Sequence, residues 1–408
     1  MQKMKSHLPL VVIFAVCSSL SPAVGLFEET TVFTGLYNGI VGSNYRIPSL
    51  VAAADGSLIA FAEGRASGSD PGSSAGQNRI VWSRSTDFGK TWTKPVAFPS
   101  PTVGDCSNPV SIYDPNSRAV YLFYNKWPAG KGQFSVGSGT GTDSCTIWMR
   151  KSTDNGATWS GETNITASVK DPSWAASVVG PGNGIVTAIS NAGRIIVPSL
   201  RNTVSDRNSD PFTFYSDDGG NTWHRNSVAN ASYHADENIV VELADGKLLL
   251  NARTNSNWRA KFLSSDGGAS WSGPEPFLQG ITPICASTIR YSLARNGDKN
   301  RILFSAPAGT SAGPSRNNLS VWISYDEGAT FTNQTLVHPG MSAYSSMAVL
   351  ADGTIGLLYE KDNYKTIGFA RFDLQYLGET AVPEPSTIVF GGLGALGMVR
   401  ARMRRRRA

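Results

Sequence analysis

The stretch Tyr45-Arg46-Ile47-Pro48-Ser49-Leu50 reads as a strand bound for the interior, yet it carries a permanently charged guanidinium. Two more arginines stand on apolar strand patterns: Arg253 in LLLNAR and Arg316 in PSRNNLSV. A buried charge without a partner is too costly to be retained idly. Each guanidinium therefore needs an anion, either an acid of the chain or a ligand. Guanidiniums grip carboxylates in a bidentate fork, so anion capture is the chemistry such a set can do. Acids stand on similar patterns. Glu360 ends the apolar run GLLYE, and Glu237 and Glu242 compete in DENIVVELADGKLLLNAR. Asp70 follows Arg65 by five residues in the polar, glycine-rich loop EGRASGSDPGSS. Tyr344 lies in MSAYSSMAVL. A free phenol titrates near pH 10. It becomes a nucleophile when nearby arginines favour the phenolate and an adjacent carboxylate takes its proton.

The elements that must position these residues announce themselves by repetition. SRSTDFGKTW, RKSTDNGATW, FYSDDGGNTW, FLSSDGGASW and WISYDEGATF end at Trp92, Trp159, Trp223, Trp271 and Phe331. Asp87, Asp154, Asp218, Asp266 and Asp326 can accept bonds from turn backbone N–H groups. The glycine two residues later permits torsions closed to other residues. These aspartates fasten hairpins and are not catalytic candidates. Around the repeats lie six apolar stretches, GSLIAFAE, RAVYLFYN, GRIIVPSL, GKLLLNAR, RILFSAP and GTIGLLYE, which read as half-buried strands after tight turns. A unit recurring every ~50–65 residues argues for a propeller or a similar array. The expectation is an all-β chain: one domain over 26–380, a six-bladed β-propeller of four-stranded antiparallel sheets.

The two ends read differently. Residues 1–25 place Lys3 and Lys5 before an apolar run and small residues at Ala23-Val24-Gly25. This is a secretory signal peptide, cut after Gly25. Residues 381–408 join a Pro-Glu-Pro turn, a short apolar run and six arginines. The run is short for a membrane span of roughly 20 residues. Without both ends, Lys+Arg falls from 36 to 28 and Asp+Glu from 31 to 30, so the core is near −2 and a nucleic-acid partner loses its support. Export permits a disulfide, and Cys106–Cys145 is the expected pair. No cysteine–histidine cluster has metal-ligand spacing, so no metal and no cofactor is expected. His224, His234 and His338 are isolated and read as surface or turn residues, and turn chemistry is one account of Asn108 in SNPVSIYD. Trp174 and Trp258 lie outside the repeats and could stack on sugar faces or pack in the core.

The five repeats, with YRIP ahead of the first, resemble the exo-sialidases (neuraminidases) of the bacterial and animal type over the whole mature core. The tail resembles the PEP-CTERM sorting signal of Gram-negative bacteria. That resemblance implies export, an exosortase as processing partner, cleavage near Pro383-Glu384-Pro385, and release or attachment at the cell surface. The sialidase resemblance implies sialylated glycans as partners and a retaining hydrolysis. Arg46, Arg253 and Arg316 match the family's carboxylate-binding triad, and Glu360 the acid that orients the first of them. Tyr344 matches the nucleophile, Glu237 rather than Glu242 its activating glutamate, Asp70 the acid/base, and Arg65 a residue lining the sugar pocket. A trans-sialidase and a non-catalytic sialoglycan lectin are the rival readings, and linkage preference is not encoded in these motifs.

Overall fold

The computed structural model describes residues 25–39, 43–72, 77–99, 104–229 and 234–379. The readings of residues 1–24 and of the tail from 380 onward lie outside the described residues. Among the described residues no helix is long and apolar enough to cross a membrane.

The described chain is β throughout, apart from one short helix, Thr166–Val169, and two 3-10 turns. Antiparallel hairpins follow one another into propeller-like sheets. The first sheet runs Asn44–Ala52, Leu58–Arg65, Arg79–Ser85 and Val96–Ala97. The second takes Asp105–Asp114, Ala119–Trp127, Thr146–Ser152 and Thr163–Asn164, with Gly182–Asn183 added in parallel. The third takes Trp174–Val179, Ile195–Thr203, Asp210–Ser216 and His224–Val228, with Ile185–Val186 at its side. The fourth takes Ala235–Glu242, Leu248–Thr254, Trp258–Ser264 and Ser272–Gln279.

The fifth sheet departs from the expectation of six separate four-stranded blades. It has seven strands. Thr332–Val349 is one unbroken strand of 18 residues. Its first half pairs with Asn317–Ser324 and its second half with Ile355–Lys361. No turn separates the halves, so hydrogen bonding fuses what the repeat spacing would divide. The first described strand, Phe27–Thr34, closes this sheet against Thr366–Phe372.

The six apolar stretches are the second strands of these hairpin series, but they are not half-buried. Leu58–Arg65, Ala119–Trp127 and Arg301–Pro307 are buried at every position. Both faces of each meet a neighbouring sheet, which suits continuous apolar runs better than alternation.

The repeats fasten their own turns and also join consecutive sheets. In each, the serine hydroxyl donates to the aspartate two residues on and accepts the glycine N–H, as with Ser152, Asp154 and Gly156. Asp154 also accepts the Thr158 amide at 2.9 Å and its hydroxyl at 2.5 Å. The terminal aromatics reach the preceding sheet. Trp159 meets Phe61 edge-on at 5.5 Å, Trp223 meets Phe123 at 5.0 Å, and Trp92 meets Phe369 at 5.3 Å. Gly156, at φ 79°, lies so close that an added Cβ would sit 2.5 Å from Ile59.

The Thr158 hydroxyl and amide hold Asp154 down to about 2. A carboxyl depressed in the fold stabilises it above its ordinary value of 3.8, and that contribution is lost as pH falls toward about 2. Asp154→Asn is expected to lower Tm by a few degrees at pH 7, a gap that narrows in thermal melts below about pH 4. Gly156→Ala is expected to cost roughly 1–3 kcal/mol in denaturant unfolding, through the Ile59 clash and the positive φ.

Candidate active site

The innermost strands share a defect. Pairing slips between Arg46 and Ser49, Ser107 and Val110, Trp174 and Ser177, Ala235 and Asn238, and Ser342 and Ser345. Such bulges re-aim side chains that regular pleating would send into the sheet interface. Two of them force left-handed backbone, at Ile47 (φ 57°) and Asn108 (φ 55°). A β-branched residue in that region is strained, and strain of this kind clusters at functional sites. Arg46, Asn108, Glu237 and Tyr344 all lie within these slips and line one cleft of about 750 Å³.

Tyr344 is the centre of the cleft. Its hydroxyl donates to Glu237 Oε1 at 2.5 Å and accepts from Arg253 Nη1 at 3.0 Å. The same Arg253 nitrogen donates to Glu237 Oε2 at 2.9 Å. The guanidiniums of Arg46 and Arg316 lie 5.7 and 5.5 Å from the Tyr344 ring centre. Three arginines from distant parts of the chain thus surround one phenol. Glu360, fully buried, fixes two of the strands involved. Its Oε1 accepts Arg46 Nε at 2.7 Å and the Ile47 amide at 2.8 Å, and its Oε2 accepts the Tyr344 amide at 3.2 Å.

Burial pushes Tyr344 well above the usual phenol range, and the Glu237 carboxylate adds to the shift. Burial also raises Glu237, against the pull of Arg253. Burial alone would lower Arg46, but Glu360 outweighs it and holds the guanidinium charged. The hydrogen-bonded pair therefore keeps its proton on the phenol, next to a carboxylate poised to receive it.

A second group stands on the first sheet. Asp70 lies 2.6 Å from Arg65 Nη1, with its side chain largely open to the cleft. Arg65 Nε donates at 2.6 Å to Glu63, which is fully buried and also accepts the Asn108 amide at 2.7 Å. The Asp70 loop is tied down by Asp105, whose carboxylate accepts the amides of Gly72, Gln77 and Asn78.

A model of the BNR repeat-like domain matches residues 56–357. The sialidase of Micromonospora viridifaciens is 34% identical over 359 residues, covering 83% of this chain and 53% of that protein. The sialidase of Clostridium perfringens is 31% identical over 307 residues, covering 71% of this chain and 78% of the relative. The chain belongs to the sialidase family. Among solved structures, the Hadza microbial sialidase Hz136 superposes with a TM-score of 0.73 at 27% identity, over 81% of this chain and 66% of that one. A leech intramolecular trans-sialidase superposes at 0.70 with 23% identity, over 85% and 71%, a likeness of fold alone. This chain spans little more than half the length of the Micromonospora relative and 60% of that of a Bacteroides fragilis sialidase. The PEP-CTERM protein-sorting motif matches residues 381–406.

Within this sialidase-family cleft the structure gathers Arg46, Arg65, Asp70, Glu237, Arg253, Arg316 and Tyr344, with Glu360 directly behind. Glu242 is elsewhere: its carboxylate accepts the amides of Ala188, Ile189 and Ser190 and staples a loop. Asn108, which turn chemistry and the family's Asn-Pro near the pocket explain equally, lines the cleft, as does His234, read as an isolated surface or turn residue. His234 Nε2 lies 3.0 Å from Asp236, while its Nδ1 accepts the Ser209 amide, so Nε2 carries the proton. Trp174 packs edge-on against Phe212 at 5.0 Å and Trp258 joins an apolar cluster, so both serve the core.

Sequence reading missed Glu63, Asp236, Trp127, Phe134 and Tyr364. Glu63 carried a signal, being a carboxylate at the end of an apolar run like Glu360. Tyr364 gave none. It projects from a turn, stacks 4.0 Å under Arg46 and accepts from Arg316 Nη1 at 2.9 Å. The expected Cys106–Cys145 disulfide is absent. The two thiols are not bonded to each other and are buried in different apolar clusters, and Cys145 donates to the Ser177 carbonyl.

Glu63→Gln should cost about 3–5 kcal/mol, because it leaves Arg65 buried without its enclosed counter-ion. Glu63→Gln/Arg65→Met together should recover part of that loss, as measured by urea unfolding.

Proposed function

We propose that the protein is a retaining exo-α-sialidase that removes terminal sialic acid from glycoproteins, glycolipids or oligosaccharides. The observation that carries this reading is Tyr344 Oη, held between Glu237 at 2.5 Å and Arg253 at 3.0 Å, with Arg46 and Arg316 beside the same ring. Sialic acid bears a carboxylate on the carbon under attack. Three convergent guanidiniums suit that anion. A carboxylate nucleophile would be repelled by it, whereas a neutral phenol is not, and sialidases are the known tyrosine exception among retaining glycosidases.

Arg46, Arg253 and Arg316 hold the substrate carboxylate. The Tyr344 proton passes to Glu237 Oε1 along the existing hydrogen bond, and the phenolate oxygen attacks the anomeric carbon. Asp70 protonates the departing glycosidic oxygen. It then takes a proton from the water that breaks the tyrosyl–sugar bond. Arg65 aligns Asp70 and lines the sugar pocket. This route asks for no cofactor.

The same reading covers the architecture and the ends. The propeller-like sheets, two of whose hairpin series are fused through Thr332–Val349, are the kind of scaffold this reading calls for. Residues 1–25 direct export across the inner membrane. The sorting motif hands residues 381–408 to an exosortase-like enzyme, leaving the 26–380 core secreted or at the cell surface.

The test is release of 4-methylumbelliferone from its α-sialoside by the purified protein, with the first-formed anomer read by NMR. The α-anomer is expected, with Asp70→Ala lowering kcat by about 10²–10⁴-fold and Tyr344→Phe by at least as much. Normal turnover by Tyr344→Phe would overturn the mechanism. Binding of sialyl-lactose without cleavage would establish a lectin, and sialyl transfer to added lactose a trans-sialidase.

A further inference from the structure

Among the described residues, the largest wholly enclosed side chain is a cation. Arg259 is 1% exposed. Its Nε donates to Asn251 Oδ1 at 2.8 Å and its Nη1 to the Ile284 carbonyl at 2.7 Å, both neutral acceptors. Among the described residues no carboxylate lies within ion-pair distance of it. Burial pulls the guanidinium down to about 10, which leaves it charged through neutral pH. An enclosed charge with no counter-ion in contact is expensive.

Its position shows what the charge faces. Arg259 is the cross-strand partner of Arg253, and directly paired residues present their side chains on one face of a sheet. Arg253 reaches the cleft, while Arg259 stays enclosed and holds Ile284, which packs in one cluster with Cys285 and Tyr344. The groups its charge reaches are Cys285, Glu237, Arg253 and Tyr344. Burial keeps the Cys285 thiol neutral. The negative charge left to answer Arg259 is the one on the Glu237–Tyr344 pair. Glu237 needs the support. It is raised by burial and by its neighbour Asp236, and Arg253 is the counter-ion in direct contact with it.

We propose that Arg259 is a positioning residue that keeps Glu237 ionised, and so able to accept the Tyr344 proton, without touching the substrate. This rests on the reading of Tyr344 as nucleophile. In the step concerned, the Tyr344 O–H bond breaks, a Glu237 O–H bond forms, and the negative charge moves to the phenolate oxygen that Arg253 Nη1 contacts. Without the Arg259 charge, Glu237 holds its proton to higher pH and the step begins blocked.

The experiment uses the full chain with Arg259→Gln and Arg259→Lys. Removing a cation near a carboxyl raises that carboxyl's pKa. In Arg259→Gln the acidic limb of kcat/KM for the 4-methylumbelliferyl sialoside should move up by about one pH unit, a roughly tenfold loss on that limb. Activity should recover at higher pH, with KM on the plateau within about threefold. Arg259→Lys keeps the charge without the fork and should leave the limb in place. A ¹³C-NMR titration of the Glu237 carboxyl, assigned through Glu237→Gln, should show the same upward displacement in Arg259→Gln with no turnover needed. An unmoved limb and titration in Arg259→Gln, or an equal loss at every pH in both variants, would overturn the proposal. Should Arg259→Gln not fold, Arg259→Met carries the same expectation. A parent that turns over no sialoside, while its Glu237 titration still responds to Arg259, would sink the sialidase reading and leave the role of Arg259 standing.

Discussion

Charges sealed inside a β-sheet core must be matched, and most of the site follows from that constraint. Water solvates an ion at a strand surface, but here Glu63, Glu360 and Arg259 are shut away from it. Each carboxylate answers with several donors. Glu360 collects a guanidinium and two amides, and Glu63 a guanidinium and one amide. The donors come from different strands, so satisfying the ion also sets the strands against one another. The cleft is accurate because its acids are bonded on their remaining oxygens to backbone. Arg46 and Arg65 are aimed by carboxylates that cannot move.

The bulges supply what regular strands cannot. A pleated strand alternates its side chains, so neighbours such as Asp236 and Glu237 would face opposite sheet surfaces. A slip in register breaks the alternation and turns both toward the cleft. The cost appears as left-handed backbone at Ile47, where the Glu360 carboxylate holds the strained amide. One acid thereby offsets the strain and orients the arginine next to it.

What could be read in advance depended on how local the physics was. The hairpin fasteners were plain, because Ser152, Asp154, Gly156 and Thr158 satisfy one another within seven residues. Arg46 and Arg253 were visible because a charge in an apolar run breaks the pattern. Glu63 obeyed the same rule at the end of GSLIAFAE and could have been taken. Register slips, however, belong to a pair of strands and leave no mark on either. The places of Asp236, His234 and Tyr364 therefore stayed hidden. Arg259, in NWRAKFLS, carries no local mark of its enclosure, because the Ile284 carbonyl it holds comes from a segment 25 residues on. The fused seven-stranded sheet depended on a single strand continuing through Pro339 and Gly340. Whether Cys106 and Cys145 could pair depended on which apolar cluster each joins.

The way the fifth sheet closes has a consequence for biogenesis. Among the described residues, Phe27–Thr34 pairs as a strand only with Thr366–Phe372, more than 300 residues downstream. A chain emerging N-terminus first must keep that opening segment unattached until nearly everything else has been made. Joining ends so far apart carries a large entropic cost that is met late in assembly. The first and last described strands thus complete the fifth sheet together, after the hairpins between them have been made.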